Sequence, residues 1–170
     1  AYAQICRLMK REEEYRRLHS IAEEYAAYWM ENAEEGDHTL LAYGQPGSWS
    51  LKYNAVWDLF FQSHLFSEAL LEQEVDFYIQ KKEKYGVPLD SRKRYAKSDW
   101  TLWCSAMTKD MEKRIQLMEP VMRFLMETKD RVPFSDWYDT RTGDYCHFKG
   151  RSVQGGIFMP LLLDQLLPKS

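Results

Sequence analysis

The chain has 170 residues, 45% of them apolar, and is long enough to bury one hydrophobic core. Its 23 Lys and Arg and 26 Asp and Glu residues give a net charge of -3 and are mixed along the sequence, so nucleic acid is not an expected partner. The longest apolar run, Ile157 to Leu163, is far shorter than the roughly 20 residues of a membrane-spanning helix, so no membrane span is expected. We predict a single domain over residues 1–170.

The first half of the chain shows helical patterns. Apolar residues recur at three- and four-residue steps from Arg11 to Glu34, which predicts an amphipathic helix that Gly36 stops. A short apolar stretch from Tyr53 to Phe61 favours a buried helix and leaves a strand open. Ser67 is suited to cap the next helix, which we expect to end at Gly86.

The second half continues the series. Ser98 is suited to cap a helix that has Asp99 in its first turn, where a carboxylate interacts favourably with the helix dipole. A fifth helical pattern runs from Met111 to Leu125, and Pro120 is expected to kink or split it. A helical composition returns from Gln154 to Leu167. These six helices predict an all-α fold.

Two long loops, Val87 to Lys97 and Val132 to Val153, separate the later helices and have the length at which loops are usually functional. The first loop leads into the pair Asp99-Trp100, and the second contains the pair Asp136-Trp137. Paired carboxylates are typical of hydrolysis by general acid and base. The candidate catalytic residues are Asp99, Asp136 and Asp139, and the candidate substrate-binding residues are Arg92, Trp100, Trp137, Tyr138 and Arg151.

The same residues also suit structural roles. Asp99 fits a helix start, and Asp136 fits a turn that it caps through the backbone. Arg92 and Arg151 are of the type that ties loops to carboxylates, and Trp100 lies at helical spacing with other apolar residues, as core positions do.

Metal and cofactor motifs are missing from the sequence. The three cysteines and four histidines are scattered without metal-type spacing, and the aspartates of the second long loop lack the alternation and terminal Glu of an EF-hand. There is no nucleophile elbow, zinc-protease helix, phosphate-binding loop or serine–lysine pair. We therefore expect neither a metal nor a cofactor.

A series of motifs runs in order through nearly the whole chain. The motifs are GSWSLKYN at 47–54, VWD at 56–58, YGVPLDSR at 85–92, KSDW at 97–100, RVP at 131–133, SDWYDT at 135–140 and RSVQGG at 151–156. With them the chain resembles the C-terminal part of the glutaminase A-like proteins of fungi and of gut-type Bacteroides.

The resemblance implies a six-helical-hairpin domain, an (α/α)6 toroid related to the six-hairpin glycosidases, of which six helices would make about half. It also implies an exported protein, secreted, periplasmic or on the cell surface, that hydrolyses glutamine to glutamate and ammonia. The chain opens without Met in a segment with a helical pattern, so we expect it to be the C-terminal portion of a longer protein whose remaining domains are its partners.

Three hypotheses follow for function. In a glutaminase-like hydrolase, Asp99 or Asp136 would activate water, and the other carboxylate or Asp139 would handle the leaving ammonia. Arg92 or Arg151 would then bind the substrate carboxylate. Alternatively, Trp100, Trp137 and Tyr138 would line a cleft for a glycan, because toroids of this kind support several chemistries.

The third hypothesis is a non-catalytic packing or binding module of a larger enzyme. In that case Asp99 and Asp136 would be buried against arginine or backbone partners, without a cleft between them. Half a toroid would also expose apolar helix faces, so we expect self-association of the isolated chain.

Overall fold

The computed structural model describes residues 1–166 and is mostly helical, which confirms the all-α prediction. Its helices are α1 (Tyr2–Leu8), α2 (Glu12–Ala33), α3 (Val56–Phe61), α4 (Glu68–Lys81), α5 (Ser98–Ser105), α6 (Met111–Glu127) and α7 (Met159–Leu166), with 3-10 turns at Tyr53–Ala55 and Ser152–Phe158. None of the helices in this part of the chain is long and apolar enough to cross a membrane.

Within residues 1–166, four short strands accompany the helices. Strands β1 (Glu34–Glu35) and β2 (His38–Thr39) form an antiparallel hairpin directly after α2. Gly36 lies in its turn at a φ of 68°, a left-handed conformation that glycine adopts without steric cost. Gly36 therefore shapes this hairpin, and the helix before it has already ended at Ala33.

The two long loops are not structureless, contrary to their lack of periodicity in the sequence. Strand β3 (Tyr95–Lys97) lies in the first and pairs antiparallel with β4 (Trp137–Asp139) in the second. The register sets Ala96 opposite Tyr138. A three-residue strand is too short to show a period of two, so no local pattern predicts it.

Two predictions about helix bounds were wrong, and one of the two outcomes expected at Pro120 did not occur. Helix α6 is not split at Pro120, because Leu117, Val121 and Phe124 on either side of it are buried and hold the helix against the core, and a kink there stays a prediction. Ser98 does not cap α5, since β3 runs directly into the helix and Lys97 is the N-cap residue. Helix α4 ends at Lys81 instead of Gly86.

Other bounds agree with the predictions. Ser67 caps α4, with its Oγ accepting a hydrogen bond of 3.2 Å from the N–H of Leu70. The stretch Tyr53 to Phe61 is helical, as a 3-10 turn followed by α3. The predicted last helix is a 3-10 turn followed by α7, and its predicted end at Leu167 lies outside the described residues.

The main core lies where α3, α4, α5, α6 and α7 meet. Each helix contributes fully or nearly fully buried side chains, among them Val56, Leu71, Val75, Cys104, Leu117 and Leu163. Glu74 is buried in the same region and accepts hydrogen bonds from the N–H and Oγ1 of Thr39 and from the hydroxyl of Tyr78. This network ties the β1–β2 hairpin to α4, since a buried carboxylate requires such partners.

A second, smaller core lies beneath the β3–β4 pair. The ring of Tyr138 stacks on that of Phe124 in α6, with 3.5 Å between the centroids and 9° between the planes. Tyr85 and Ala96 complete this cluster. It fixes the strands, and with them the two long loops, onto α6.

Helices α6 and α7 carry an exposed apolar surface. Its members include Met122 and Met126 on α6 and Leu161, Leu162 and Leu166 on α7, together with the nearby Phe158. A groove of about 230 Å³ with almost purely apolar lining runs between Met118 of α6 and Leu161 of α7. Contiguous apolar surface of this kind is typical of an interaction face.

Candidate functional site

The candidate residues are brought together where β3, β4 and the start of α5 meet. The N–H of Ser98 donates to the carbonyl oxygen of Asp136 at 3.0 Å, which extends the strand pairing to the first residue of α5. The side chain of Ser98 contacts Gln154, with 3.1 Å between Oγ and Oε1. Three segments distant in the sequence thus meet at Asp99 and Asp136.

Asp136 is a fully buried carboxylate held by two cations. Arg151 donates from Nε to Oδ1 at 3.0 Å and from a terminal nitrogen to Oδ2, and Lys97 Nζ lies 3.2 Å from Oδ2. Burial opposes ionisation of Asp136, but the hydrogen bonds from Arg151 and then from Lys97 outweigh it and lower the pKa of the carboxyl. Asp136 therefore carries a fixed negative charge.

Asp99 lies in the same cluster and has the opposite electrostatic environment. It is 4% exposed, and its Oδ1 has no hydrogen-bond partner among residues 1–166. Burial, followed by the negative charge of Asp136, raises the pKa of Asp99 to about 6. Two neighbouring carboxyls whose pKa values are pushed apart in this way are typical of an acid–base pair.

The backbone of the 3-10 turn packs closely on Asp99. A Cβ atom at Gly156 would lie 3.0 Å from the Cβ of Asp99 and 2.8 Å from Nε1 of Trp103, so only glycine fits there. Trp103 Nε1 also donates to the carbonyl oxygen of Gly156 at 2.9 Å. This contact explains the second glycine of the Gln-Gly-Gly motif, whose backbone covers the first turn of α5.

Asp139 is not brought to this pair. Its place in β4 is opposite Tyr95, at the far end of the strand pair from Asp99. Its Oδ1 accepts hydrogen bonds from the N–H groups of Arg141 and Thr142 at 2.8 and 2.9 Å, which caps the following turn. A role for Asp139 with the leaving ammonia stays a prediction.

Arg92 pairs with Asp90 at the edge of the site. Its Nε and a terminal nitrogen donate to the two carboxylate oxygens at 3.1 and 2.7 Å, although the side chain is 70% exposed. Burial opposes ionisation of Asp90, but the hydrogen bonds from Arg92 outweigh it and lower the pKa of the carboxyl. Both predicted substrate-binding arginines, Arg92 and Arg151, are thus engaged with carboxylates of the chain.

A cleft of about 470 Å³, here called the tryptophan cleft, lies beside the strand pair. It is lined by Leu89, Asp90, Arg92, Lys93, Tyr95, Lys97, Trp100 and Trp137. Lys97 Nζ lies 4.4 Å from the ring centroid of Trp137 and 5.7 Å from that of Trp100. Aromatic walls around a few polar groups are the usual composition of a small-molecule site.

Trp100 is fixed in place by a second aromatic ring. It stacks on Tyr53 with 4.0 Å between the centroids and 5° between the planes. Tyr53 itself lines a neighbouring cleft of about 470 Å³, which shares Asp90 and Arg92 with the tryptophan cleft. The stacked pair therefore stands between two adjoining clefts.

Tyr138 does not line either of these clefts. Its ring is fully buried on Phe124, and its hydroxyl has no hydrogen-bond partner among the described residues. Burial and the charge of Asp99 raise the pKa of Tyr138. The predicted contact of Tyr138 with substrate is untested, and Trp100 and Trp137 are the two predicted aromatic residues that face the tryptophan cleft.

Lys97 and Tyr95 are cleft residues that the sequence reasoning missed. They alternate with Ala96 along β3, so they point to the face opposite the core residue Ala96. This alternation could not be recognised from the sequence, because a three-residue strand is too short to show a period of two. Within residues 1–166, no group of three or more His, Cys, Asp or Glu side chains has an arrangement suited to a metal ion.

The fold and the motifs around this site define an all-α domain of the six-hairpin class. The chain matches the model of the glutaminase A six helical-hairpin domain over residues 1–161, and it belongs to this family. The resemblance to the glutaminase A family seen in the sequence is thereby confirmed.

Two fungal relatives match the chain. Glutaminase A of Aspergillus oryzae is 36% identical to it over 85% of this chain and 22% of the relative. A probable glutaminase of Arthroderma benhamiae is 26% identical over 97% of this chain and 23% of the relative. The chain thus spans less than a quarter of the length of these relatives, and no solved structure matches it.

Proposed function

We propose that this chain is part of a glutaminase-type hydrolase that releases ammonia from the side-chain amide of glutamine. The observation that carries the proposal is the pair of carboxyls with opposite environments, Asp99 with a raised pKa and Asp136 held ionised by Arg151 and Lys97. The names of the two fungal relatives support the choice of an amide as substrate.

In the proposed reaction Asp99 is the general base. With a pKa of about 6 it is mostly ionised at neutral pH, and its buried Oδ1, which has no hydrogen-bond partner among residues 1–166, would take the proton from a water molecule that enters the site with the substrate. That water attacks the amide carbon, Asp99 returns the proton to the amide nitrogen, and ammonia leaves. Asp136 keeps its charge throughout, because its own pKa is lowered.

The test is ammonia release from glutamine by the full-length protein that contains this chain. We expect Asp99→Asn to abolish turnover while folding is retained, and kcat/KM of the parent to fall as the pH drops through about 6. Asp110→Asn is the matched control, since Asp110 caps α6 outside the site and asparagine can also cap a helix. Full activity of the Asp99→Asn variant would refute the proposal.

A glycan is the second candidate ligand, because Trp100 and Trp137 face one cleft and indole rings stack on sugar faces. An oligosaccharide screen in which nothing is bound or cleaved would count against it. The burial of Asp136 against Arg151 is what a packing or binding module would also contain. The location outside the cytoplasm and the position within a longer protein stay predictions.

A further inference from the structure

We propose that the tryptophan cleft binds a carboxylate and that the ammonium group of Lys97 is its receptor. The inference rests on the proposed function, because the carboxylate is taken to be that of the amino-acid substrate. It replaces the predicted roles of Arg92 and Arg151, both of which the chain's own carboxylates engage.

Asp136 has one negative charge and two cationic partners, so the positive charge of Lys97 is not fully neutralised. Two cations share this one carboxylate, and Arg151 bonds both of its oxygens while Lys97 reaches only Oδ2. The charge of Asp136 is therefore neutralised largely by Arg151. An ammonium has three N–H donors, and the hydrogen bond to Asp136 uses one of them.

The position of Lys97 makes the remaining donors available to a ligand. Its side chain is 10% exposed, yet it lines the cleft between the faces of Trp100 and Trp137. Partial burial between these rings lowers the local dielectric, so an ion pair formed there is stronger than one on the open surface.

The other cations of the cleft are less suited to this role. Arg92 is paired with Asp90 and is 70% exposed. Lys93 belongs to the cleft lining, and its Nζ lies 5.7 Å from the ring centroid of Tyr95. Lys97 is the cleft cation that is both nearly buried and placed between the two tryptophans.

The experiment is a calorimetric titration of the full-length protein with L-norvaline, which has the carbon chain of glutamine and a carboxylate but no amide to hydrolyse. L-Norvalinol, with the carboxylate reduced to an alcohol, is the matched ligand. We expect norvaline to bind at least about tenfold more tightly than norvalinol, as a charge-assisted contact implies. Equal binding of the two ligands, or no binding of norvaline, would overturn the inference.

Variants assign the effect to Lys97. Lys97→Gln keeps a donor for Asp136 but loses the charge, and we expect norvaline affinity to fall about tenfold with folding retained. Lys109→Gln, the same change at an exposed lysine outside the cleft lining, is the control and should leave the affinity within about twofold. A Lys97→Gln variant that binds norvaline as the parent does would also overturn the inference.

These readouts separate the inference from the proposed function. Norvaline binding that depends on Lys97, without ammonia release from glutamine, would support the carboxylate site and refute the glutaminase proposal. Turnover of glutamine with an unchanged KM in Lys97→Gln would support the glutaminase proposal and refute the role of Lys97.

Discussion

Replacement of Asp99 by asparagine should make the protein more stable at neutral pH. In the folded chain burial and the charge of Asp136 raise the pKa of Asp99 from its ordinary 3.8 to about 6. Since a tenfold change in proton affinity is about 1.4 kcal/mol, the ionised form destabilises the fold by about 3 kcal/mol above pH 7. Asparagine keeps the shape of the side chain and removes the charge.

The sign of the pH dependence follows from the raised pKa. Between pH 3.8 and about 6 the folded chain still holds a proton that the unfolded chain has lost, so the contribution of Asp99 to stability declines as the pH rises through this range. The gain in the free energy of unfolding of Asp99→Asn over the parent should therefore grow from about 1 kcal/mol at pH 4.5 to about 3 kcal/mol at pH 8.

Urea unfolding of the parent and the Asp99→Asn variant at these two pH values measures this gain. Asp136→Asn is a control of opposite sign, because it removes the partner of Lys97 and Arg151 and should cost about 3 kcal/mol at neutral pH. A gain for Asp99→Asn that does not change with pH would refute the reasoning. Stability gained together with activity lost would be the signature of a functional group held at a structural cost.

Three further outcomes are expected. Gly156→Ala should lower the free energy of unfolding by about 1–3 kcal/mol in urea titrations, because the new methyl group would overlap Trp103. An unchanged urea concentration at the unfolding midpoint would show that the turn can move aside. Glu74→Ala should lower the free energy of unfolding by about 1–3 kcal/mol, and with it the melting temperature, because it leaves buried donors without an acceptor. A melting temperature equal to that of the parent would contradict this. The isolated chain should self-associate through the apolar surface of α6 and α7, and Met122→Lys with Leu161→Lys should shift it toward monomer in light scattering; a monomeric parent would exclude this.

The helices could be predicted from the sequence because their information is local. Ser67 caps α4 and the buried Leu71 and Val75 follow at helical spacing, so short-range physics is sufficient there. Pro120 is an instructive exception. Its local effect predicts a break, and buried neighbours on the same face outweigh that effect.

The site was predictable in part. The Asp-Trp pairs identified Asp99, Asp136, Trp100 and Trp137, which meet around the β3–β4 pair. The sequence could not show how the charges are distributed among them. The difference in pKa between Asp99 and Asp136 depends on Arg151. The loop that brings Arg151 back to Asp136 has no local sequence pattern that specifies its path.

The pairing of β3 with β4 also bears on the order in which the molecule folds. The two strands are separated in the sequence by the whole of α5 and α6, so their pairing closes a large loop. The entropy lost on closing that loop must be overcome before the hydrogen bonds between the strands form. We therefore expect helices and local turns to form first and the pocket to be assembled last. A partly unfolded population would therefore be helical by circular dichroism and unable to bind ligand.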